Sequence, residues 1–156
     1  MKYWLLKTEP ETFSIDDLRS APGQVTPWEG VRNYQARNFI RDEMSVGDHL
    51  LIYHSGGANP AIVGTGKIKR AGYPDHFAWD RSSNYFDESS SPDNPRWFMV
   101  DVQWQSTFTT PLTLACLRET SELSEMELLR KGNRLSVQPV KKAEFNQVLR
   151  LLNSLE

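Results

Sequence analysis

The chain has a single cysteine, Cys116, so it can form no internal disulfide and no thiolate metal cluster. Such cysteine usage fits a reducing compartment, and a cytoplasmic location is expected. Histidine is scarce as well. His49, His54 and His76 show neither H-x-x-x-H nor H-E-x-x-H spacing, so no metal site is expected. The opening Met-Lys-Tyr-Trp-Leu-Leu-Lys has only two consecutive leucines before a charge. It is neither a signal peptide nor a membrane span, and no membrane partner is expected.

Excess positive charge is also missing. The net charge is −2, whereas a protein held to DNA mainly by counterion release is normally basic. This argues against tight non-specific nucleic-acid binding, but it permits a local pocket for one nucleotide. No G-x-x-x-x-G-K-[ST] loop or G-x-G-x-x-G fingerprint occurs; Gly64-Thr65-Gly66 is followed by Lys-Ile-Lys and opens no helix. Ser55 follows His54 without a G-x-S-x-G elbow. With no cofactor motif and no catalytic constellation, the expectation is a non-enzymatic protein without a cofactor.

What is present is one domain's worth of chain, 156 residues, read as a single domain over 1–156. A chain of this length buries roughly two thirds of its unfolded surface and needs no staple. Tyr3–Lys7 reads as a strand ended by Glu9-Pro10. Ser14 caps a short helix that Pro22-Gly23 ends. Asn33 caps a second, with apolar face Ala36, Phe39, Ile40 and Met44. Strands follow at His49–His54 and Ala61–Ile68, then a long exposed loop over 80–96. Phe98, Val100, Val102 and Trp104 alternate as in a half-buried antiparallel strand, and Thr107–Thr113 extends the sheet. Ser124 with Glu127 has capping-box spacing. Arg134–Pro139 is extended, and a last helix buries Phe145, Val148, Leu149, Leu152 and Leu155. The fold class is mixed α+β, with a largely antiparallel sheet or partial barrel and helices outside.

The most informative segment is Thr26–Arg41. Trp28 and Gly30 sit in a turn before a helix start rich in arginine. Trp28 offers an apolar plane, Gly30 and Val31 free N–H groups, Asn33 an amide, and Arg32 and Arg37 guanidinium groups. That set suits a flat, polar-edged ligand attached to phosphate. Each residue has a plainer reading: Trp28 as a lid on the core, and Asn33, Arg37 and Arg41 as a solvated helix face. Lys7 and Thr8 end the first strand, and Tyr53, His54 and Ser55 end another, where they line the mouth of a small barrel or simply meet solvent. His54 is a hydrogen-bond donor or a satisfied core group. Asp75 and Trp79 precede the long loop; Trp79 walls a stacking slot or anchors the loop. Arg134 reaches phosphate or braces the Glu9-Pro10 loop by an ion pair.

Four strings in order resemble the EVE domain family: Trp4–Pro10, Trp28–Arg37, Tyr53-His54-Ser55 and Arg134–Pro139. They span almost the whole chain. The W-E-G-V-R-N-Y-Q-A-R string is the most specific of them. The resemblance implies a PUA-like open β-barrel with helices outside, similar to YTH domains. It also implies recognition of a modified base in DNA or RNA within an aromatic pocket. On that basis Trp28 is the cage tryptophan, with Lys7 and Thr8 beside it. Trp79 is inferred as the opposite wall, and Arg32 and Arg37 as phosphate contacts. The alternatives are a sensor of a free nucleotide or other planar ligand, and a nucleobase- or RNA-modifying enzyme using His54 or Asp75.

Overall fold

A computed structural model of the protein describes residues 1–155. Six strands form one sheet in the order β2-β5-β4-β3-β1-β6. They are β1 (Tyr3–Thr8), β2 (Val25–Pro27), β3 (His49–His54), β4 (Ala61–Pro74), β5 (Phe98–Thr113) and β6 (Val137–Val140). All neighbours are antiparallel except β1 and β3, which run parallel, with Lys7 beside Tyr53 and Thr8 beside His54. That pair brings two strand C-termini to one rim of the sheet. β4 and β5 are long, and their pairing shifts register four times, which bends them. The bent sheet keeps β2 and β6 as separate edges, an open barrel as expected.

Side-chain alternation puts a core on each face. Trp4, Leu6, Leu50, Ile52, Val100 and Val102 face one side. There α1 (Ile15–Ser20) adds Ile15 and Leu18, and α2 (Tyr34–Asn38) adds Ala36. Leu5, Leu51, Tyr53 and Leu112 face the other. This side is closed by Leu117 of α3 (Leu114–Arg118) and by Phe145 and Val148 of α4 (Lys142–Leu155). Burial of both faces explains why β3 reads Leu-Leu-Ile-Tyr without polar interruption.

Local capping follows the sequence at two of the three predicted starts. The Ser14 side chain accepts from the Asp17 N–H, and Asp17 accepts from the Ser14 N–H, a reciprocal pair. Asn33 accepts from the Ala36 N–H at 3.0 Å. The Ser124–Glu127 box does not form. Residues Glu127–Leu129 make a single 3₁₀ turn opened by Met126, which is buried, and the Glu127 carboxylate accepts from Asn133 instead. The second helix is also corrected: after Asn38 it widens into a π turn, Phe39–Glu43, so Arg37 and Arg41 do not continue one α-helical face. In α4, Leu155 is half exposed rather than buried.

The 80–96 segment is the largely exposed loop expected, and it is also fastened to the body. The Asp87 N–H donates to the Ala78 carbonyl, and Trp97 Nε1 donates to Asp87 Oδ2 at 2.6 Å. Ser90, within it, is buried and accepts from the Arg96 N–H. Among the described residues no helix is long and apolar enough to cross a membrane.

A candidate base-binding cleft at the sheet rim

A cleft of about 750 Å³ opens where the C-termini of β1 and β3 meet the segment after β2. This volume suits one nucleotide-sized ligand. Lys7, Thr8, Ser55, Arg134 and Ser136 line it from the strand ends. Thr26–Val31 forms a second wall, Glu9, Thr12 and Phe13 a rim, and Asn84 and Tyr85 the side facing Gly30. Backbone bonds fix the floor: the Lys7 N–H donates to Ser136 O, and the Ser55 N–H to Thr8 O. The Thr8 hydroxyl donates to Phe13 O at 2.7 Å, tying the rim to the floor.

Trp28 belongs to the core and also borders the cleft. Its N–H donates to Val100 O at 2.8 Å, which continues the β2–β5 ladder one residue past Pro27. The side chain is 8% exposed and belongs to the core, yet it also lines the cleft. Phe13 meets it edge to face at 6.1 Å. Gly30 adopts φ +82°, where side chains are rarely tolerated. A Cβ there would lie 2.6 Å from the Tyr85 ring, so glycine lets the main chain rest against that ring.

A buried brace holds this wall. Asp75 is fully buried, and its Oδ2 accepts from the Gly30 N–H and from Arg32 Nη1, each at 3.0 Å. Its Oδ1 accepts from the Phe77 N–H, capping the turn His76–Trp79. Arg32 Nη2 donates to Tyr85 O at 2.6 Å. One carboxylate and one guanidinium thus connect both sides of the cleft.

Several expected contacts are therefore reassigned. Arg32 is committed to Asp75 and Tyr85 and does not face the cleft as a phosphate contact. Arg37 lies outside the cleft, donating to Asn38 Oδ1 and Arg96 O. Asn33, Tyr53 and Asp75 serve as cap, core and brace rather than as lining. Trp79 does not line the cleft; its Nε1 is 3.4 Å from Ser90 Oγ, and the aromatic residue after it that does line the cleft is Tyr85, against Gly30. Arg134 does line the cleft and forms no ion pair with the Glu9-Pro10 loop. Lys7, Thr8, Trp28, Gly30, Val31, Ser55 and Arg134 are brought together as expected. Phe13, Glu29 and Tyr85 were missed. Glu29 lies inside the Trp28–Arg37 string and Phe13 shortly after the Trp4–Pro10 string, but nothing local marks Tyr85.

Charge in the cleft is perturbed by burial. Desolvation lowers the Lys7 ammonium below the ordinary lysine range. The Glu29 carboxyl is raised, first by desolvation and then by the Asp75 charge.

His54 lies just outside the cleft, and Nε2 accepts from the Ile15 N–H at 3.0 Å, so it anchors the start of α1. It accepts there, rather than donating. Burial depresses its pKa, as burial and then Lys67 depress that of His49. The unfolded chain therefore takes up protons near pH 6.5 while the native histidines resist, and stability falls as pH drops through that value. Melting temperature should decline between pH 7.5 and 5.5, and His54→Gln, which keeps an acceptor, should flatten part of the decline. An unchanged slope in that variant would remove His54 as a cause.

The open, mostly antiparallel sheet, the outer helices and the aromatic cleft at its rim define a PUA-like module. The chain belongs to the EVE domain family, which matches residues 2–151. It is 41% identical over 166 residues to human thymocyte nuclear protein 1, covering 96% of this chain and 73% of that one. The crystal structure of human THYN1 protein in complex with 5-methylcytosine-containing DNA superposes with a TM-score of 0.91 at 40% identity, covering 97% and 98% of the two chains. A YTH domain from Zygosaccharomyces rouxii, solved with N6-methyladenosine RNA, shares the fold alone, with a TM-score of 0.55 and 11% identity over 97% of this chain and 86% of that one. The cytoplasmic expectation is corrected by these relatives, whose name, thymocyte nuclear protein, points to the nucleus. Nuclei also keep thiols reduced, so one free cysteine does not distinguish the two compartments.

Proposed function

We propose that the protein is a non-catalytic reader of a modified nucleobase in DNA or RNA, and that the base enters the cleft beside Trp28. The observation that carries this reading is the cleft's make-up. Three aromatic side chains, Phe13, Trp28 and Tyr85, line it together with Lys7 and Arg134, which have no ion-pair partner among the described residues. Aromatic planes suit a base, and Arg134, which has no ion-pair partner among the described residues, suits the phosphate attached to it. The relative seen with 5-methylcytosine-containing DNA supports the same reading. The two residues weighed above for acid–base chemistry are otherwise engaged: His54 binds the Ile15 N–H, and Asp75 is filled by three donors.

A methyl group buried against these rings adds about 0.8 kcal/mol, roughly a fourfold preference. Larger selectivity needs a polar group that the wrong base leaves unpaired. Lys7 and Glu29 offer a donor and an acceptor for that task. Removing a base from a duplex costs a few kcal/mol, so single strands should bind better.

The test is a titration of single-stranded DNA and RNA oligonucleotides carrying methylated, hydroxymethylated or unmodified bases. A several-fold preference for one modified base is expected, with a salt slope below six released counterions. Equal affinity across the whole panel would sink the reading. A free modified nucleoside binding as tightly as its oligonucleotide would favour a small-ligand sensor.

A further inference from the structure

A column of rings and guanidinium groups leads from the cleft to the surface. Its inner member is Tyr85, with Arg32 Cζ 5.6 Å from the ring centre. Arg32 lies 5.4 Å from the Trp97 ring. Trp97 stacks on Tyr34 at 5.0 Å with 24° between planes, and Arg37 lies 4.8 Å over Tyr34.

The two ends differ in kind. At the inner end the cation is neutralised by the buried Asp75. At the outer end Tyr34 is 51% exposed, one of the few large apolar side chains left open. Arg37 is held by neutral acceptors, donating from Nε to Asn38 Oδ1 and from Nη1 to Arg96 O, each at 3.0 Å. Among the described residues it has no carboxylate within ion-pair distance; the neighbouring Asp42 is paired with Arg41 at 2.8 Å. Neutral partners orient a guanidinium without cancelling its charge. A half-exposed ring beside an oriented cation that has no ion-pair partner of its own is suited to a nucleotide's plane and phosphate together.

We propose that Tyr34 and Arg37 form a second contact for the same strand. Arg37 takes a phosphate and Tyr34 stacks on a nucleotide outside the cleft. This rests on the reader function proposed above. The three steps from Tyr85 to Tyr34 span at most about 16 Å, the length of roughly five stacked nucleotides. The contact therefore falls within a few nucleotides of the inserted base, inside the reach of a ten-nucleotide strand.

The experiment compares a modified dinucleotide with a modified ten-nucleotide single strand of the same central sequence. Wild type binds the longer strand about tenfold tighter. Tyr34→Ala and Arg37→Gln lose most of that gain and bind the dinucleotide as wild type does. Tyr34→Phe keeps the gain. Arg37→Gln also lowers the slope of log affinity against log salt by about 0.7, while Tyr34→Ala leaves it unchanged. Melting curves for both variants should stay near wild type. If the modified dinucleotide binds but length adds nothing, or both variants keep the full gain, this contact falls alone. If wild type binds neither ligand, the reader function falls and takes this contact with it.

Discussion

Trp28→Leu lowers affinity for a modified single strand by about 5- to 150-fold while the protein remains folded. The magnitude follows from losing one base–aromatic stack, worth about 1–3 kcal/mol. Leucine is the informative replacement because Trp28 is also core. It is almost wholly buried and packs with Phe13, Val31 and the β5 residues Val100 and Val102. Trp28→Ala would add a cavity cost of about 3–5 kcal/mol, so lost binding would be confounded with lost fold. The measurement is a pair of titrations by fluorescence anisotropy, with circular dichroism melts as the control for folding. Unchanged affinity in a folded Trp28→Leu protein would remove the cleft's central ring from the proposed function.

Asp75→Ala costs about 3–5 kcal/mol of stability, a large share of the roughly 5–15 kcal/mol that holds a domain together. The carboxylate is fully buried and serves three donors. Its removal leaves the Gly30 and Phe77 N–H groups unsatisfied and the mostly buried Arg32 without a counter-charge. Adding Arg32→Met to the Asp75→Ala background should recover part of the loss, because an unpaired buried cation is costlier than an apolar side chain. Urea denaturation of the two proteins measures both effects. A loss below about 1 kcal/mol would show that the brace holds nothing up. Binding should weaken as well, since Tyr85 reaches the rest of the cleft through Arg32.

The parts of the fold written within one turn or one strand were legible in the sequence. The Ser14 and Asn33 caps are set by residues three apart, and they formed as read. The alternation from Phe98 to Trp104 and the apolar run of β3 report burial directly, and both strands stand where expected. Ser124 and Glu127 have equally good cap spacing. There the burial of Leu123, Met126 and Leu128 forced two short 3₁₀ turns in place of a helix, because packing outweighs a cap of about 1 kcal/mol. The 80–96 segment has the composition of a loop, and composition does not show that its Tyr85 and Arg96 carbonyls are claimed by the distant Arg32 and Arg37.

The cleft divides in the same way. Lys7, Thr8, Trp28, Gly30 and Ser55 sit in recognisable strings at strand ends or in a turn, and strand pairing carried them to one rim. Tyr85 lies 55 positions from Gly30, and Asp75 43 from Arg32, with no pattern linking them. The sequence alone determined most of the strands, two helix starts, the family and a tryptophan of the cleft. Tertiary structure decided which aromatic side chain faces Gly30 and which arginine lines the cleft. Local patterns encode burial and capping because neighbours along the chain share a turn or a pleat. The partner of a buried charge is set by where the folded chain returns, and that depends on the whole sheet.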